Sequence, residues 1–239
     1  MNLKDMAKRL EDILGLAAPA VGVKLISGDW SPDGWLRGDK LTYCQFIMKA
    51  REGGRLIADV DNISCPNGAS ALGLREVPPK LVSGELLETI GTFEKEAGAE
   101  MVASIPRFRL GEWDRIALAR LGDFDFEPDL VLIESLPEQI MWLNLASIYG
   151  GGGRLEFGTS VSNGTCSDLT VVPMRKGCIN ISAGCYGCRN ATSVADQDMY
   201  AGLPFGKLTA LIEALEQLQQ KAMPRTRGKK AYKGLSVLD

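Results

Sequence analysis

Two pairs of cysteines recur at nearly the same distance along this chain of 239 residues. Cys44 and Cys166 are 122 residues apart, and Cys65 and Cys185 are 120 residues apart. In each half of the chain, an apolar strand is expected to precede the first cysteine. A second strand is expected to follow and to lead to the second cysteine, which lies in a glycine-containing turn. A fixed period of this kind is typical of a duplicated unit. The spacing therefore predicts a fold built from two similar halves.

Prolines near these cysteines extend the comparison. Pro79 and Pro204 are 125 residues apart, and each precedes an amphipathic helix. The strand prolines Pro19 and Pro128 are 109 residues apart. The shorter offset implies that the second half carries an insertion, which the helix and glycine run at 137–153 would supply.

Length and composition fit a single domain of this design. With 45% hydrophobic and 24% charged residues, the chain resembles an ordinary globular protein and is long enough to bury a large core. We expect one α/β (or α+β) domain over residues 1–220, with similar halves at about 1–105 and 106–220 and a pseudo-twofold axis between them. Residues 221–239 contain six basic residues and one acidic residue, and they are predicted to form a basic, mobile tail.

Charge and the N-terminus argue against several kinds of partner. The whole chain has a net charge of −3, but without the tail it has 21 basic and 29 acidic residues. A negative body argues against broad nucleic-acid binding. The N-terminus mixes both signs of charge and lacks the apolar core of a signal peptide, and no run reaches the length of a membrane span. We therefore predict a cytoplasmic protein that binds neither nucleic acid nor membranes.

The chain contains no histidine. This removes the Ser-His-Asp and Cys-His catalytic arrangements, zinc sites with histidine ligands, and haem held by histidine. Chemistry must then come from thiolates, carboxylates, Lys, Tyr, Arg or a cofactor. In a reducing compartment, clustered cysteines more often bind metal or catalyse than form disulfides.

The stretch from Gly177 to Arg189 holds half of the six cysteines, Cys178, Cys185 and Cys188, and a glycine precedes each of them. Glycine allows backbone N–H groups to turn toward a thiolate sulfur without steric cost. The apolar alternation inside the stretch predicts a strand with the cysteines at its two ends. A functional site is therefore expected here.

The turns around these cysteines resemble those of domain-of-unknown-function family 169, which is found in archaea and anaerobic bacteria. The resemblance covers residues 1 to about 220, and it rests on Tyr43-Cys44, Cys65-Pro-Asn-Gly-Ala, Cys166 and Gly184-Cys185-Tyr-Gly-Cys-Arg189. It implies a cytosolic protein in which these cysteine turns matter, without implying a particular activity. The anaerobic setting would suit an oxygen-sensitive cofactor.

The first hypothesis for function is an iron–sulfur cluster, most simply [4Fe–4S], held by Cys44, Cys65, Cys166 and Cys185. Soft thiolates suit iron–sulfur chemistry, and glycine turns offer N–H donors to the cluster. Cys188 is the leading substitute for Cys185, although it stands outside the four-cysteine pattern, as does Cys178. Arg189 could stabilise a nearby thiolate or an anionic ligand. The expected role is electron transfer or a redox-linked reaction, with a redox partner protein or a small anionic molecule as partner.

Several alternatives remain open from the sequence. The cysteines could be free and buried, as is common for this residue type, or could hold a structural zinc ion. Cys185 and Cys188 could form a redox dithiol in which Cys185 attacks and Cys188 resolves, although a loop rather than a helix is predicted after Arg189. A different class of function is a binding or regulatory module without chemistry. It would hold a small anion through the glycine run 150–153 with Arg154 or Arg189.

Hydrophobic periodicity predicts the main elements of secondary structure. Helices are expected at 3–14, 43–50, 86–97, 113–121, 137–149 and 208–218, and strands at 20–26, 56–63, 105–110, 129–134, 155–161 and 179–183.

Overall fold

A mixed sheet of seven strands forms the centre of the fold in the computed structural model, which describes residues 2–224. The strands are β1 (Val21–Ile26), β2 (Leu36–Arg37), β3 (Leu56–Asp59), β4 (Arg115–Arg120), β5 (Leu130–Ser135), β6 (Asn180–Ser182) and β7 (Met199–Pro204). Their order across the sheet is β2-β3-β4-β1-β5-β7-β6. The β2–β3 pair is parallel, and the other neighbouring pairs are antiparallel.

Ten α-helices are described around this sheet. They are α1 (Leu3–Leu14), α2 (Tyr43–Arg51), α3 (Pro66–Ala71), α4 (Pro79–Val82), α5 (Glu85–Thr89), α6 (Lys95–Ser104), α7 (Pro137–Ser147), α8 (Val172–Lys176), α9 (Tyr186–Ala191) and α10 (Leu208–Lys221). A π-helical turn, Gly164–Val171, runs directly into α8. Within residues 2–224, every helix is too short or too polar to cross a membrane.

Side chains alternate between the two faces of the sheet. On β5, Val131 and Ile133 pack with α1, α7 and α10, whereas Leu130 and Leu132 pack with α2, α3 and the π-helical turn. This is the period of two expected for a strand that is buried on both sides. We call the side that carries α2, α3 and the π-helical turn the cysteine face.

The predicted α/β class is confirmed, and α1, β1, β5, α7 and α10 form close to where periodicity places them. The helix expected at 113–121 is wrong, because β4 occupies this segment. Its run Ile-Ala-Leu-Ala is buried on both faces, so it lacks the alternation that distinguishes a strand from a buried helix.

Other expectations of secondary structure are also wrong. Residues 105–110 and 155–161 form no strand, and the single helix at 86–97 is replaced by parts of α5 and α6 with a break between them. The helical conformation is interrupted there at Gly91, which has a positive φ of 74°. The tail prediction falls mainly on 225–239, outside the described residues.

The strand order bears on the predicted duplication. Outward from the central β1–β5 pair, one side of the sheet contains β1, β4, β3 and the two-residue β2, and the other contains β5, β7 and β6. When β2 is set aside, the first strand along the chain on each side pairs with the third, and the third pairs with the second. The expected boundary near residue 105 does not fit this order, since β4 lies with β1 and β3. Pro79 and Pro204 are not equivalent either, because Pro79 begins α4 whereas Pro204 ends β7. The duplication stays a prediction.

Buried polar side chains fix the π-helical turn to the segment before it. The carboxylate of Asp168 accepts hydrogen bonds from Ser182 Oγ (2.8 Å), Thr159 Oγ1 (3.0 Å) and Ser160 N–H (3.0 Å). Asn180 Nδ2 donates to the carbonyl of Asp168 at 2.7 Å. These bonds hold residues 158–160 in place without making them a strand.

Asp168 makes the stability of the fold depend on pH. Burial raises the pKa of its carboxyl, against the opposing effect of its hydrogen bonds. As pH rises from about 4 toward that raised pKa, the unfolded chain gives up this proton before the folded chain does, so the free energy of unfolding falls. In Asp168→Asn this loss should be absent. Urea denaturation from pH 4 to 7 would measure the free energy of unfolding of both proteins. Asp33→Asn, at an exposed position, is the control. Identical pH profiles for wild type and Asp168→Asn would contradict the prediction.

Candidate functional site

Cysteines lie at the N-terminal ends of four helical segments of this protein. Cys65 and Cys185 are the N-cap residues of α3 and α9. Cys44 is the second residue of α2, and Cys166 is the third residue of the π-helical turn. Helix N-termini present unpaired N–H groups and a partial positive charge, which stabilise thiolates. Each of the four cysteines singled out by their spacing therefore lies at the start of a helical segment.

The turns at Cys65 and Cys185 have the same local geometry. Cys65 Sγ accepts a hydrogen bond from Gly68 N–H at 3.4 Å, and Cys185 Sγ accepts one from Cys188 N–H at 3.3 Å. In each case the donor lies three residues after the cysteine. The helix α9 after Cys185 corrects the loop expected there, so the Cys185-Tyr-Gly-Cys188 motif follows a strand and begins a helix.

Backbone packing positions the second of these turns. Gly184, just before Cys185, has a φ of +84°. A Cβ on Gly164 would lie only 2.8 Å from the backbone of Gly184. The start of the π-helical turn and the start of α9 therefore touch through two glycines.

Side-chain hydrogen bonds join α2 to elements from the other half of the chain. Gln45 Nε2 donates to the carbonyl of Ala191 at the end of α9, at 3.0 Å. The hydroxyl groups of buried Tyr43 and Thr170 are 3.0 Å apart. These contacts place Cys44 beside α9.

Cys44, Cys185 and Cys188 form one buried cluster, which we call the cysteine triad. Their exposed fractions are 9%, 8% and 1%. The sulfurs of Cys185 and Cys188 are 3.2 Å apart. Thr42 Oγ1 lies 3.0 Å from Cys44 Sγ, and Thr165 Oγ1 lies 3.6 Å from Cys188 Sγ. The triad thus combines residues from α2 and α9, which are far apart in sequence.

The triad favours a thiolate on its central sulfur. Hydrogen bonds from the thiols of Cys185 and Cys44 lower the pKa of Cys188. The same hydrogen bonds, together with burial, raise the pKa of Cys44 and of Cys185. The donors to these sulfurs are thiols, hydroxyl groups and backbone N–H groups. Sulfur ligands in such a buried, neutral setting suit a soft cation.

Cys65 and Cys166 both lie next to Gly68. A Cβ built on Gly68 would be 3.7 Å from each of their sulfurs. Cys166 is buried, and burial followed by the charges of Cys188 and Cys65 raises the pKa of its thiol. Cys65 is half-buried. The structure therefore brings five cysteines to one region, with these two next to the triad.

The side chains of this region are arranged for hydrogen bonding to one another. Within the described part of the chain, no group of three or more Cys, Asp or Glu residues stands in an arrangement that could hold a metal ion as it is. Binding a metal would require the triad thiols to turn away from each other and toward the ion.

Cys178 and the glycine run lie elsewhere in the molecule. Cys178 is exposed and lines a groove of about 790 Å³ between the end of α7 and α10. Gly150 lines the same groove, and the run it begins is exposed, as is Arg154. These residues are not part of the cysteine cluster.

Arg189 is fully used in holding the turn around α9. Its Nε and Nη2 donate to the carbonyl of Ala183, Nη1 donates to Ala195 and Asp196, and Nη2 also donates to Asp198. All five guanidinium hydrogens thus have backbone acceptors. Arg189 has none left for the thiolate or the anionic ligand suggested by the sequence.

Sequence reasoning missed Thr42 and Thr165 and gave Cys188 a secondary place. The Cys-x-x-Cys spacing was a signal for Cys188, because a residue three positions after a helix N-cap lies next to the capping side chain. No comparable signal marks Thr165, which reaches Cys188 through the fold.

Comparison with known proteins finds a matching family and a relative, and both matches cover nearly the whole chain. The family model described as DUF169, Uncharacterised ArCR, matches residues 9–214, which include the five clustered cysteines. Uncharacterized protein MJ0308 of Methanocaldococcus jannaschii is 30% identical over 224 residues, which are 92% of this chain and 96% of that protein. No solved structure matches.

Proposed function

This chain belongs to the DUF169 family, described as uncharacterised, and from its cysteine face we propose that it holds a thiolate-ligated iron–sulfur cluster. The cluster type in this proposal is [4Fe–4S], and the role is electron transfer or a redox-linked reaction. The protein would act in the cytoplasm with a redox partner protein or a small anionic substrate, and without nucleic acid or membrane partners.

One observation carries the proposal: three buried sulfurs meet in the triad, and two more cysteines lie beside it. The donor set is all thiol, which suits iron–sulfur chemistry better than it suits hard cations. We assign Cys44, Cys185 and Cys188 as the first ligands, with Cys166 or Cys65 as the fourth. This set differs from the one proposed from spacing by including Cys188.

The surrounding residues would support such a centre. When bound, an iron–sulfur cluster supplies one-electron transfer. The N–H groups of Gly68 and Cys188 donate to cysteine sulfurs, and such hydrogen bonds stabilise thiolate charge. The burial of the triad keeps water from the sulfurs. Arg189 keeps the α9 turn in place.

A redox dithiol is the second candidate, favoured by the 3.2 Å separation of the Cys185 and Cys188 sulfurs and by the helix that follows Cys185. A two-electron oxidant such as a disulfide would form their S–S bond by accepting two electrons, with release of the one proton held by Cys185 when Cys188 is a thiolate. The lowered pKa would make Cys188 the attacking sulfur, yet it is only 1% exposed. That burial favours a ligand over a nucleophile for an external substrate.

Binding of a small anion without catalysis has less support. Arg189 has no free hydrogen for an anion, so such a site would depend on the glycine run and Arg154.

Anaerobic reconstitution tests the proposal. The reduced protein is incubated with iron and sulfide, or with zinc alone, and bound iron, sulfide and zinc are measured with the absorption spectrum. We expect about stoichiometric cluster with matching iron and sulfide. Zinc without iron would replace the cluster with a zinc site. Colourless protein with six titratable thiols would overturn the proposal, and if mild oxidation then removed two thiols, the dithiol would be supported.

A further inference from the structure

Two opposite charges form an ion pair that is largely buried on the cysteine face. Glu134 of β5 pairs with Arg51 at the end of α2, and their side chains are only 10% and 12% exposed. Glu134 lies two residues after Leu132 on the strand and therefore on the same face of the sheet. A buried ion pair adds little to stability, because both groups lose their contact with water. This pair is therefore a candidate for a functional role.

Tyr200 lies between this ion pair and the triad. It stands directly opposite Glu134 in the pairing of β5 with β7. Its ring also lies beside Gly184, where an added Cβ would be 3.0 Å from Cε2 of Tyr200. Burial, followed by the charges of Glu134 and Cys188, raises the pKa of Tyr200, so its hydroxyl group keeps its proton. Tyr200 is thus close to both charged sites.

The hydroxyl group of Tyr200 lacks a partner within the chain. Tyr200 is only 5% exposed, and no other group among residues 2–224 forms a hydrogen bond with its hydroxyl. Buried tyrosine hydroxyl groups usually have a partner. Tyr43, which is also buried on this face, has one, since its hydroxyl is 3.0 Å from that of Thr170. Tyr200 therefore needs a partner from outside the chain.

A small cavity lies at this point. Tyr200, Arg51, Glu134 and Thr165 line it together with apolar side chains, and its volume is about 10 Å³. One water molecule needs roughly 10–15 Å³ of such space and about two to four polar partners. The four polar residues of the lining meet this need, and the cavity is too small for a larger molecule.

Thr165 connects the cavity to the triad. Its Oγ1 lies 3.6 Å from the Cys188 sulfur, and its side chain also lines the cavity. A hydroxyl group can accept one hydrogen bond while it donates another, so it can pass a proton on. The triad holds protons that must leave on metal binding, since raised pKa values keep Cys44 and Cys185 protonated and a metal binds thiolates.

We propose that this cavity holds one water molecule, and that Thr165, the water and Glu134 carry protons from the triad to solvent. Tyr200 and Arg51 are positioning residues: Tyr200 holds the water through a hydrogen bond, and Arg51 holds Glu134. That a metal drives the protons out of the triad rests on the proposed function, whereas the water site does not.

Each step along this path moves one proton and no electrons. The proton of Cys185 passes to the Cys188 sulfur and from there to Thr165 Oγ1, as the hydroxyl group gives its own proton to the water. The water then gives a proton to the carboxylate of Glu134, whose small exposed fraction allows release to solvent. The bound cation replaces the positive charge that leaves.

A high-resolution crystal structure of the metal-free protein tests the water site. We expect one ordered water molecule within hydrogen-bond distance of Tyr200 Oη and Thr165 Oγ1. In Tyr200→Phe this water should lose a partner and become disordered or absent. A dry cavity in the wild type would overturn the proposal.

Uptake of Cd²⁺, a soft cation, by the reduced protein tests the path. The exposed thiol is removed by Cys178→Ser in every sample. Stopped-flow ultraviolet absorption of the cadmium–thiolate bonds gives the rate, and titration gives the amount bound. Thr165→Val removes the hydroxyl group at nearly constant shape and should slow uptake at least about tenfold without changing the amount bound.

Two further variants separate proton transfer from packing. Thr165→Ser keeps a hydroxyl group and should keep the wild-type rate. Tyr43→Phe is the matched control, because it removes a buried hydroxyl group that does not line the cavity, and it should leave the rate unchanged.

The outcomes distinguish this path from the proposed function. Equal uptake rates for the wild type and Thr165→Val would overturn the path, even if a cluster forms on reconstitution. Failure of the triad to bind Cd²⁺ would overturn both the path and the proposed function. Slower uptake by Thr165→Val in a protein that forms no iron–sulfur cluster would keep the path and lose the cluster.

Discussion

Cys188→Ser is expected to reduce iron and sulfide binding after anaerobic reconstitution at least tenfold. The Cys188 sulfur is the one that both other members of the triad approach, and it is almost completely buried. Serine at this position keeps nearly the same shape but replaces a soft thiolate with a hard, protonated oxygen that binds iron poorly. The protein should still fold, since the change in volume is small.

Metal analysis and visible absorption of the reconstituted protein measure this effect, and circular dichroism confirms folding. Cys178→Ser is the matched control, since that cysteine is exposed and outside the cluster. It should load as the wild type does. If Cys188→Ser loads fully while Cys65→Ser does not, the ligands are the four cysteines indicated by spacing alone, and the triad is not the binding set.

Gly202→Ala is expected to lower the free energy of unfolding by about 3 kcal/mol or more, or to prevent folding. Gly202 lies on β7, between Leu132 of β5 and Asn180 of β6 in the pairing register. A Cβ there would stand 2.2 Å from the carbonyl oxygen of Leu169. Leu169 belongs to the π-helical turn, whose backbone cannot shift without disturbing Cys166.

Urea denaturation followed by circular dichroism measures the loss. Gly206→Ala, four residues later, has no atom within 4 Å of the added Cβ and should change stability by less than about 0.5 kcal/mol. A loss below about 1 kcal/mol for Gly202→Ala would show that the π-helical turn can move away from the sheet.

The association of the cysteines was predictable because local sequence determines their turns. Cys65-Pro66 has a proline suited to the first position of a helix, and Gly184 allows the left-handed conformation before Cys185. The repeated spacing of the cysteines then predicted that cysteines from both halves form one site. The four-cysteine site stays a prediction, and in the structure the sulfur next to Cys185 is that of Cys188.

Other parts of the site depend on packing that no local pattern encodes. Helix α9 has the sequence Tyr-Gly-Cys-Arg-Asn-Ala, whose glycine and asparagine argue against a helix. It forms because Cys185 caps it and Arg189 ties it to five backbone acceptor contacts. The strand β7 was likewise not predicted, since its Gly202 and Pro204 are unusual in strands.

The joining of α2 to α9 in the triad has a consequence for the timing of synthesis. Cys188 is added to the growing chain 144 residues after Cys44. At rates of synthesis on the order of 5–20 residues per second, roughly 7 to 30 seconds pass between the addition of Cys44 and the addition of Cys188. During that interval Cys44 is a free thiol on a nascent chain. A ligand that needs all three sulfurs therefore cannot bind before synthesis has passed Cys188.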